Sequence, residues 1–246
     1  MNTSIAFILS SIAGFSTLIG ALIVLLSKKK TLNFLIGGIS FASSVMLFLS
    51  LFDLIPEGVS FLSNSFVSFV SILLCFIFLT LGVCISIIID KLFPSTFNDK
   101  ALYKLGLITT IGIIIHNIPE GIATFITTSE NIKLGLSITI AIAMHNIPEG
   151  ISIAFPIYYY TRSYKKAFLY TFICALSEPF GALIAYLFLK PTFITLGIVY
   201  SIIAGIMIHI SIYELLPSVT KYKRYRTIYL FYILGLILVL INKLLF

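Results

Sequence analysis

Eight long apolar runs constrain this chain more than any other feature of its sequence. A helix needs about 20 predominantly apolar residues to cross the hydrocarbon core of a bilayer, and each run is about that long. Strands of a transmembrane barrel would alternate polar and apolar positions over about ten residues, so these runs predict helices. The runs are Ser4–Leu26, Phe34–Ile55, Phe66–Ile89, Leu102–Phe125, Leu134–Ile157, Ala167–Leu189, Ile194–Leu216 and Thr227–Leu245.

The composition supports insertion of the whole chain into a membrane. Of the 246 residues, 59% are hydrophobic and 10% are charged, whereas a soluble domain has about 25% charged residues. Only short loops separate the runs, which leaves no stretch for a soluble domain. We therefore expect an all-α integral membrane protein, with eight transmembrane helices in a single domain over residues 1–246.

The basic residues are concentrated in alternate loops. The loops after the odd-numbered runs contain thirteen of the 16 Lys and Arg residues. Because such loops stay in the cytoplasm, we expect a multi-pass protein of the cell membrane with both termini outside. Scattered loops beside anionic lipid do not form the continuous basic face that nucleic acid requires, so we expect no nucleic-acid partner. The thirteen are Lys28, Lys29, Lys30, Lys91, Lys100, Lys104, Arg162, Lys165, Lys166, Lys221, Lys223, Arg224 and Arg226, and the others are Lys133, Lys190 and Lys243.

The most informative motif is the hexapeptide His-Asn-Ile-Pro-Glu-Gly, which occurs in both the fourth and the fifth run. It covers residues 116–121 and 145–150. His and Glu are four residues apart in each copy, so they share one face of a helix. The proline frees a carbonyl one turn earlier, which membranes tolerate where backbone lines a polar cavity or packs inside protein. A charged side chain in the hydrocarbon costs about 2.5–3.5 kcal/mol, so this concentration of ionisable residues indicates a function.

Two facing copies of the motif would bring together imidazoles, carboxylates and amides. Imidazole binds zinc, iron, nickel and copper, and carboxylate extends the range to manganese. Two neighbouring carboxylates with no cation between them would repel each other. The residues therefore predict a metal site, which shared carboxylates could extend to two ions. The candidate ligands are His116, Asn117, Glu120, His145, Asn146 and Glu149, with Glu178 from the Ser-Glu-Pro segment of the sixth run.

A weaker repeat links the second and seventh runs. Met46 precedes Asp53 by seven residues, and Met207 precedes Glu214 by the same spacing. The two runs cross the membrane in opposite directions, as in the inverted repeats of secondary transporters. We expect a polar pathway on either side of the metal site, with Met46 as a soft thioether ligand. The pathway residues are Asp53 and Glu57 on the outer side, and His209 and Glu214 on the inner side.

These motifs resemble the ZIP family of divalent metal transporters, and in particular its bacterial ZupT-type branch. The resemblance rests on the doubled HNIPEG, on SEPFGA and GIMIHISIYELLP, and on IAGFSTLIGALI and SSVMLFLSLFDLIP nearer the N-terminus. It implies eight helices in a 3+2+3 inverted repeat, and uptake into the cytoplasm of zinc, with iron, manganese, cobalt and cadmium as further cargo. It also implies a binuclear site on helices 4 and 5. One ion would bind His116, Glu120, His145, Glu149 and Met46, and the other would bind Asn117, Asn146 and Glu178, with Glu120 and Glu149 bridging.

The alternatives to a carrier are a membrane metalloenzyme and a passive ion channel. An intramembrane metalloprotease would show HExxH, which is absent from the sequence. A di-iron enzyme would have Glu-x-x-His pairs, whereas here the order and spacing differ. We therefore expect that the protein is not an enzyme and has no cofactor. The metal ion is expected as the transported ligand, and the lipid bilayer as the partner that surrounds the helices. A passive metal-selective channel stays open as an alternative, as does assembly into a homodimer.

Overall fold

The computed structural model describes residues 2–27, 31–92, 101–188 and 192–245, and within them all regular structure is helical. Among these residues, eight helices are long and apolar enough to cross a membrane, which confirms the expected fold class. Leu189 and the basic residues Lys28, Lys29, Lys30, Lys100 and Lys190 lie outside the described residues. The helices are α1 (Thr3–Leu26), α2 (Leu32–Ser63), α3 (Ser68–Leu92), α4 (Ala101–Glu130), α5 (Ile132–Thr161), α6 (Tyr164–Phe188), α7 (Phe193–Thr220) and α8 (Tyr225–Leu245).

Several helices continue beyond the apolar runs that predicted them. α2 extends to Ser63, α4 to Glu130 and α5 to Thr161. Hydropathy marks the part of a helix that lies in hydrocarbon, whereas backbone hydrogen bonding continues into polar residues at its ends. The single-domain assignment stays a prediction.

An internal two-fold relation organises the helices. A spacing of 161 residues separates Gly20 from Gly181, Asp53 from Glu214 and Pro56 from Pro217. The packing follows the same relation: α1 packs along α5 as α6 packs along α4, and α2 packs along α8 as α7 packs along α3. Helices 1–3 therefore correspond to helices 6–8, with α4 and α5 as a central pair, which is a 3+2+3 inverted repeat.

Matching π-helical segments interrupt α2 and α7 just before their prolines. They cover Ser50–Leu54 and Ile210–Leu215. Residues 56 and 217 are proline and have no N–H, so a carbonyl in each segment lacks its usual helical donor. π-Bulges are frequent at functional sites, and here the segment of α2 packs against α7 while the segment of α7 packs against α2.

The glycine that ends each hexapeptide allows backbones to touch. A Cβ at Gly150 would lie 1.9 Å from the Thr17 carbonyl oxygen on α1, and a Cβ at Gly121 would lie 2.0 Å from that of Glu178 on α6. Only glycine permits such an approach. The second hexapeptide therefore packs closely against α1 and the first against α6.

α3 and α8 form the least buried part of the bundle. In their most hydrophobic stretches 17% of the residues are buried, and large apolar side chains such as Phe69 and Phe76 point outward. Such surfaces are expected where helices face lipid. Assembly into a homodimer stays an open alternative.

Candidate metal site

The two hexapeptides place four ionisable side chains together inside the bundle. His116 Nε2 and His145 Nε2 each lie 3.1 Å from the same oxygen, Glu120 Oε1. His116 Nε2 also lies 3.6 Å from Glu149 Oε1. All four residues are buried, with at most 7% of any of them exposed. The convergence of the two motifs, expected from their spacing, is therefore present in the structure.

This group is short of hydrogen-bond partners. Within the described part of the chain, no partner is found for Nδ1 of either histidine or for Glu149 Oε2, and His116 Nε2 and Glu149 Oε1 have only the ion-pair contacts given above. A buried polar group without a partner costs about 1–3 kcal/mol in stability. Ligand atoms of His116, Glu120 and His145 all lie within 4.8 Å of one another. Nitrogen and oxygen donors at this separation can turn towards one transition-metal ion, which would satisfy them.

A second polar group adjoins the first where α5 meets α1 and α6. Asn146 Nδ2 donates to Glu178 Oε1 over 2.5 Å and to the Ala13 carbonyl oxygen over 2.8 Å. Asn146 Oδ1, Glu178 Oε2 and both amide atoms of Asn117 find no partner among the residues that the structure describes. Anchored through its nitrogen, Asn146 keeps its oxygen free for a ligand. Asn146 and Glu178 are therefore linked by a hydrogen bond. Asn117, which follows His116 in the sequence, is fully buried.

Met46 lies in the buried apolar core with Met207. Ser50, the first residue of the π-helical segment of α2, donates a hydrogen bond from Oγ to the Met46 carbonyl oxygen over 2.7 Å. Its role as a ligand stays a prediction.

A cavity of about 420 Å³ connects the predicted outer pathway to the buried group. Its lining includes Asp53, Glu57 and Lys243 together with Glu120 and His145. Lys243 was overlooked as a site residue by the sequence argument, although it is the sole charged residue of its apolar run. Its Nζ lies 3.3 Å from Asp53 Oδ1. Asp53 and Glu57 therefore share one cavity with Glu120 and His145 of the buried group.

The predicted inner pathway has a different character. His209 Nδ1 hydrogen-bonds with Ser86 Oγ over 2.9 Å, and the His209 ring stacks on Tyr213 at 5.2 Å between centroids. The equivalent residues of the first repeat, Phe48 and Phe52, form a similar stack at 5.6 Å. The inner half therefore carries polar rings where the outer half carries apolar ones.

Glu214 lies in the π-helical segment of α7 and is partly buried. Lys104 Nζ in the first turns of α4 and Asp90 Oδ1 near the end of α3 form an ion pair at 2.6 Å. The pathway roles of His209 and Glu214 stay predictions.

Comparison with known proteins settles the family. A model of the ZIP zinc transporter family matches residues 94–243. The chain is 38% identical to the zinc transporter ZupT of Streptococcus mutans, over 98% of this chain and 97% of that protein. It is 37% identical to the ZupT of Clostridium perfringens (100% and 97% covered) and 38% identical to that of Campylobacter jejuni (89% of each). The chain belongs to the ZIP family.

ZIP membership agrees with the architecture and with the site. The matched stretch contains both hexapeptides, Glu178 and the π-helical segment of α7. The relatives extend the similarity across α1 and α2, so the whole bundle is shared. ZIP proteins are transport proteins, which supports the expectation that this chain is a multi-pass membrane transporter and not an enzyme.

Proposed function

We propose that this ZIP protein takes up divalent transition-metal ions, zinc foremost, into the cytoplasm through the site between α4 and α5. Iron, manganese, cobalt and cadmium are further cargo, since imidazole and carboxylate ligands accept all of them. The observation that carries the proposal is the buried, under-satisfied group of His116, Glu120, His145 and Glu149. The similarity to proteins named zinc transporter supports it.

The proposed site holds two ions. The first binds the histidines and glutamates of the two hexapeptides, with Met46 from α2. The second binds Asn117, Asn146 and Glu178, while Glu120 and Glu149 bridge both. The unpartnered oxygens of Asn146 and Glu178 support a second ion, because both are buried and belong to a hydrogen-bonded pair that holds the two side chains together.

The proposed direction of transport is inward. The cavity joins the site to Asp53, on the side that the distribution of basic residues assigns to the exterior. In that orientation the site is loaded from outside, and His209 and Glu214 lie on the route of release.

A carrier is favoured over a passive channel. Fast conduction needs sites that bind weakly enough to release their ion, whereas the buried group offers several strong ligands to one ion. Counterflow in liposomes separates the two: a carrier loaded with unlabelled zinc accelerates the influx of labelled zinc, and a channel does not. Absence of both counterflow and net zinc flux would overturn the proposed function.

A further inference from the structure

A lysine forms an ion pair with Asp53, the carboxylate at the predicted outer end of the pathway. Lys243 Nζ lies 3.3 Å from Asp53 Oδ1 and also donates to the Phe52 carbonyl oxygen. The Lys243 side chain is 49% exposed and that of Asp53 is 23% exposed. The pair is therefore partly exposed, and it lines the same cavity as the buried Glu120 and His145.

The backbone of α2 makes the Phe52 carbonyl available. Pro56 has no N–H, so it cannot donate to the carbonyl four residues before it. Lys243 supplies the missing donor, and its ammonium group consequently lies between a backbone oxygen and a carboxylate oxygen. Oxygens of these two kinds are also ligands that divalent cations accept.

Asn242 provides a buried amide oxygen that could bind a cation. It is 8% exposed, and its Oδ1 has no hydrogen-bond partner within the described ranges. Asn242 and Glu57 line the same cavity as Asp53 and Lys243. A buried amide oxygen without a partner is costly, and a cation in the cavity would satisfy it.

We propose that Asp53, Glu57, Asn242 and the Phe52 carbonyl form an outer divalent-cation site, and that Lys243 is its built-in counter-ion, displaced by the incoming metal. This inference rests on the proposed function and adds a step before the buried site. At equal distance, a divalent ion attracts the Asp53 carboxylate about twice as strongly as an ammonium does. Because Lys243 is half exposed, its side chain can move into water when the metal arrives. A monovalent cation lacks this advantage, so Lys243 favours divalent ions.

The outer site can be tested with the buried site disabled. Cadmium binding is measured by calorimetry on the purified full chain carrying Glu120→Ala and Glu149→Ala. Adding Lys243→Met, which keeps the length and removes the charge, should tighten cadmium binding about two- to fivefold, the size of a half-exposed ion pair. Lys243→Arg keeps the charge and should leave the affinity unchanged, and Asp53→Asn should abolish binding. Unchanged or weaker binding in Lys243→Met, or binding that survives Asp53→Asn, would overturn the inference.

Zinc uptake by the protein with an intact buried site provides the second arm. Lys243→Met should lower KM for zinc by a similar factor, about two- to fivefold, because one competing charge is gone. If cadmium binding responds to the substitutions as predicted but the protein with an intact buried site transports no zinc, the proposed function is refuted and the outer site still stands. Zinc uptake without that binding would refute the outer site alone.

Discussion

At the scale of single residues, the carboxylates of the site should differ in their effect on metal binding. Glu149 is proposed to bridge two ions, whereas Glu178 serves one and is held by Asn146. Glu149→Ala should therefore abolish binding of both ions. Glu178→Ala should keep one ion and weaken overall zinc affinity by about tenfold or more, that is by at least about 1.4 kcal/mol. Elemental analysis of dialysed protein gives the zinc-to-protein ratio.

Glu178→Gln serves as the matched control, because it preserves the size of the side chain. Its amide oxygen can still accept from Asn146, so the bundle should stay intact while one negative charge is lost. Two zinc ions retained by correctly folded Glu149→Ala would contradict the bridging role.

Local spacing made the central residues of the site predictable. His116 and Glu120 share a helix face because they are four residues apart, and the second hexapeptide repeats this arrangement. Long-range packing made the other contacts unpredictable. The hydrogen bond of Asn146 to Ala13 joins residues 133 positions apart, and the pair of Lys243 and Asp53 joins residues 190 apart. No local pattern encodes such contacts.

At the scale of helices, the approach of α5 to α1 should control the site. Gly150→Ala would place a methyl group against the backbone of Thr17, which cannot move aside as a side chain can. Such overpacking costs about 1–3 kcal/mol, and the shift of α5 would carry His145 and Glu149 with it. Both thermal stability in detergent and zinc affinity should fall.

Gly38→Ala is the comparison variant for this test. A Cβ there would meet side-chain atoms of Ile151 and Phe155, at 3.0 and 3.7 Å, with room to adjust. A Gly150→Ala protein as stable as Gly38→Ala, with wild-type zinc affinity, would show that the close approach is not required.

Helices were predictable from hydropathy, but their irregularities were not. Pro56 and Pro217 are visible in the sequence, and a proline predicts a missing donor. It does not predict that the preceding segment widens into a π-helix, since that depends on the packing of α2 and α7 against their neighbours. Hydropathy likewise did not predict that α2 continues to Ser63, beyond the apolar run that ends at Ile55.

At the scale of the whole molecule, the orientation of the bundle can be tested with single cysteines. Because basic loops stay inside, Ser63→Cys should react with an impermeant thiol reagent added to intact cells, and Lys165→Cys should not. Both positions are exposed. The background variant has Cys75, Cys84 and Cys174 replaced by alanine. Labelling of Lys165→Cys from outside, with Ser63→Cys protected, would reverse the assigned orientation.

The inverted repeat was visible as two matched segments, because the equal spacing of acidic residue and proline survives in the sequence. The cavity could not be predicted from the sequence, because the residues that line it come from five helices, α2, α4, α5, α7 and α8. Its asymmetric position, reaching Asp53 and the buried glutamate, is a property of the assembled bundle.

The central claim is that metal crosses the membrane through the buried histidine–glutamate group. The most direct test is the initial rate of zinc influx into liposomes that contain equal amounts of wild-type protein or of the Glu120→Ala/Glu149→Ala variant. We predict saturable zinc influx with wild type and none above protein-free liposomes with the variant. Equal influx through both proteins, with the variant folded and inserted, would contradict the claim.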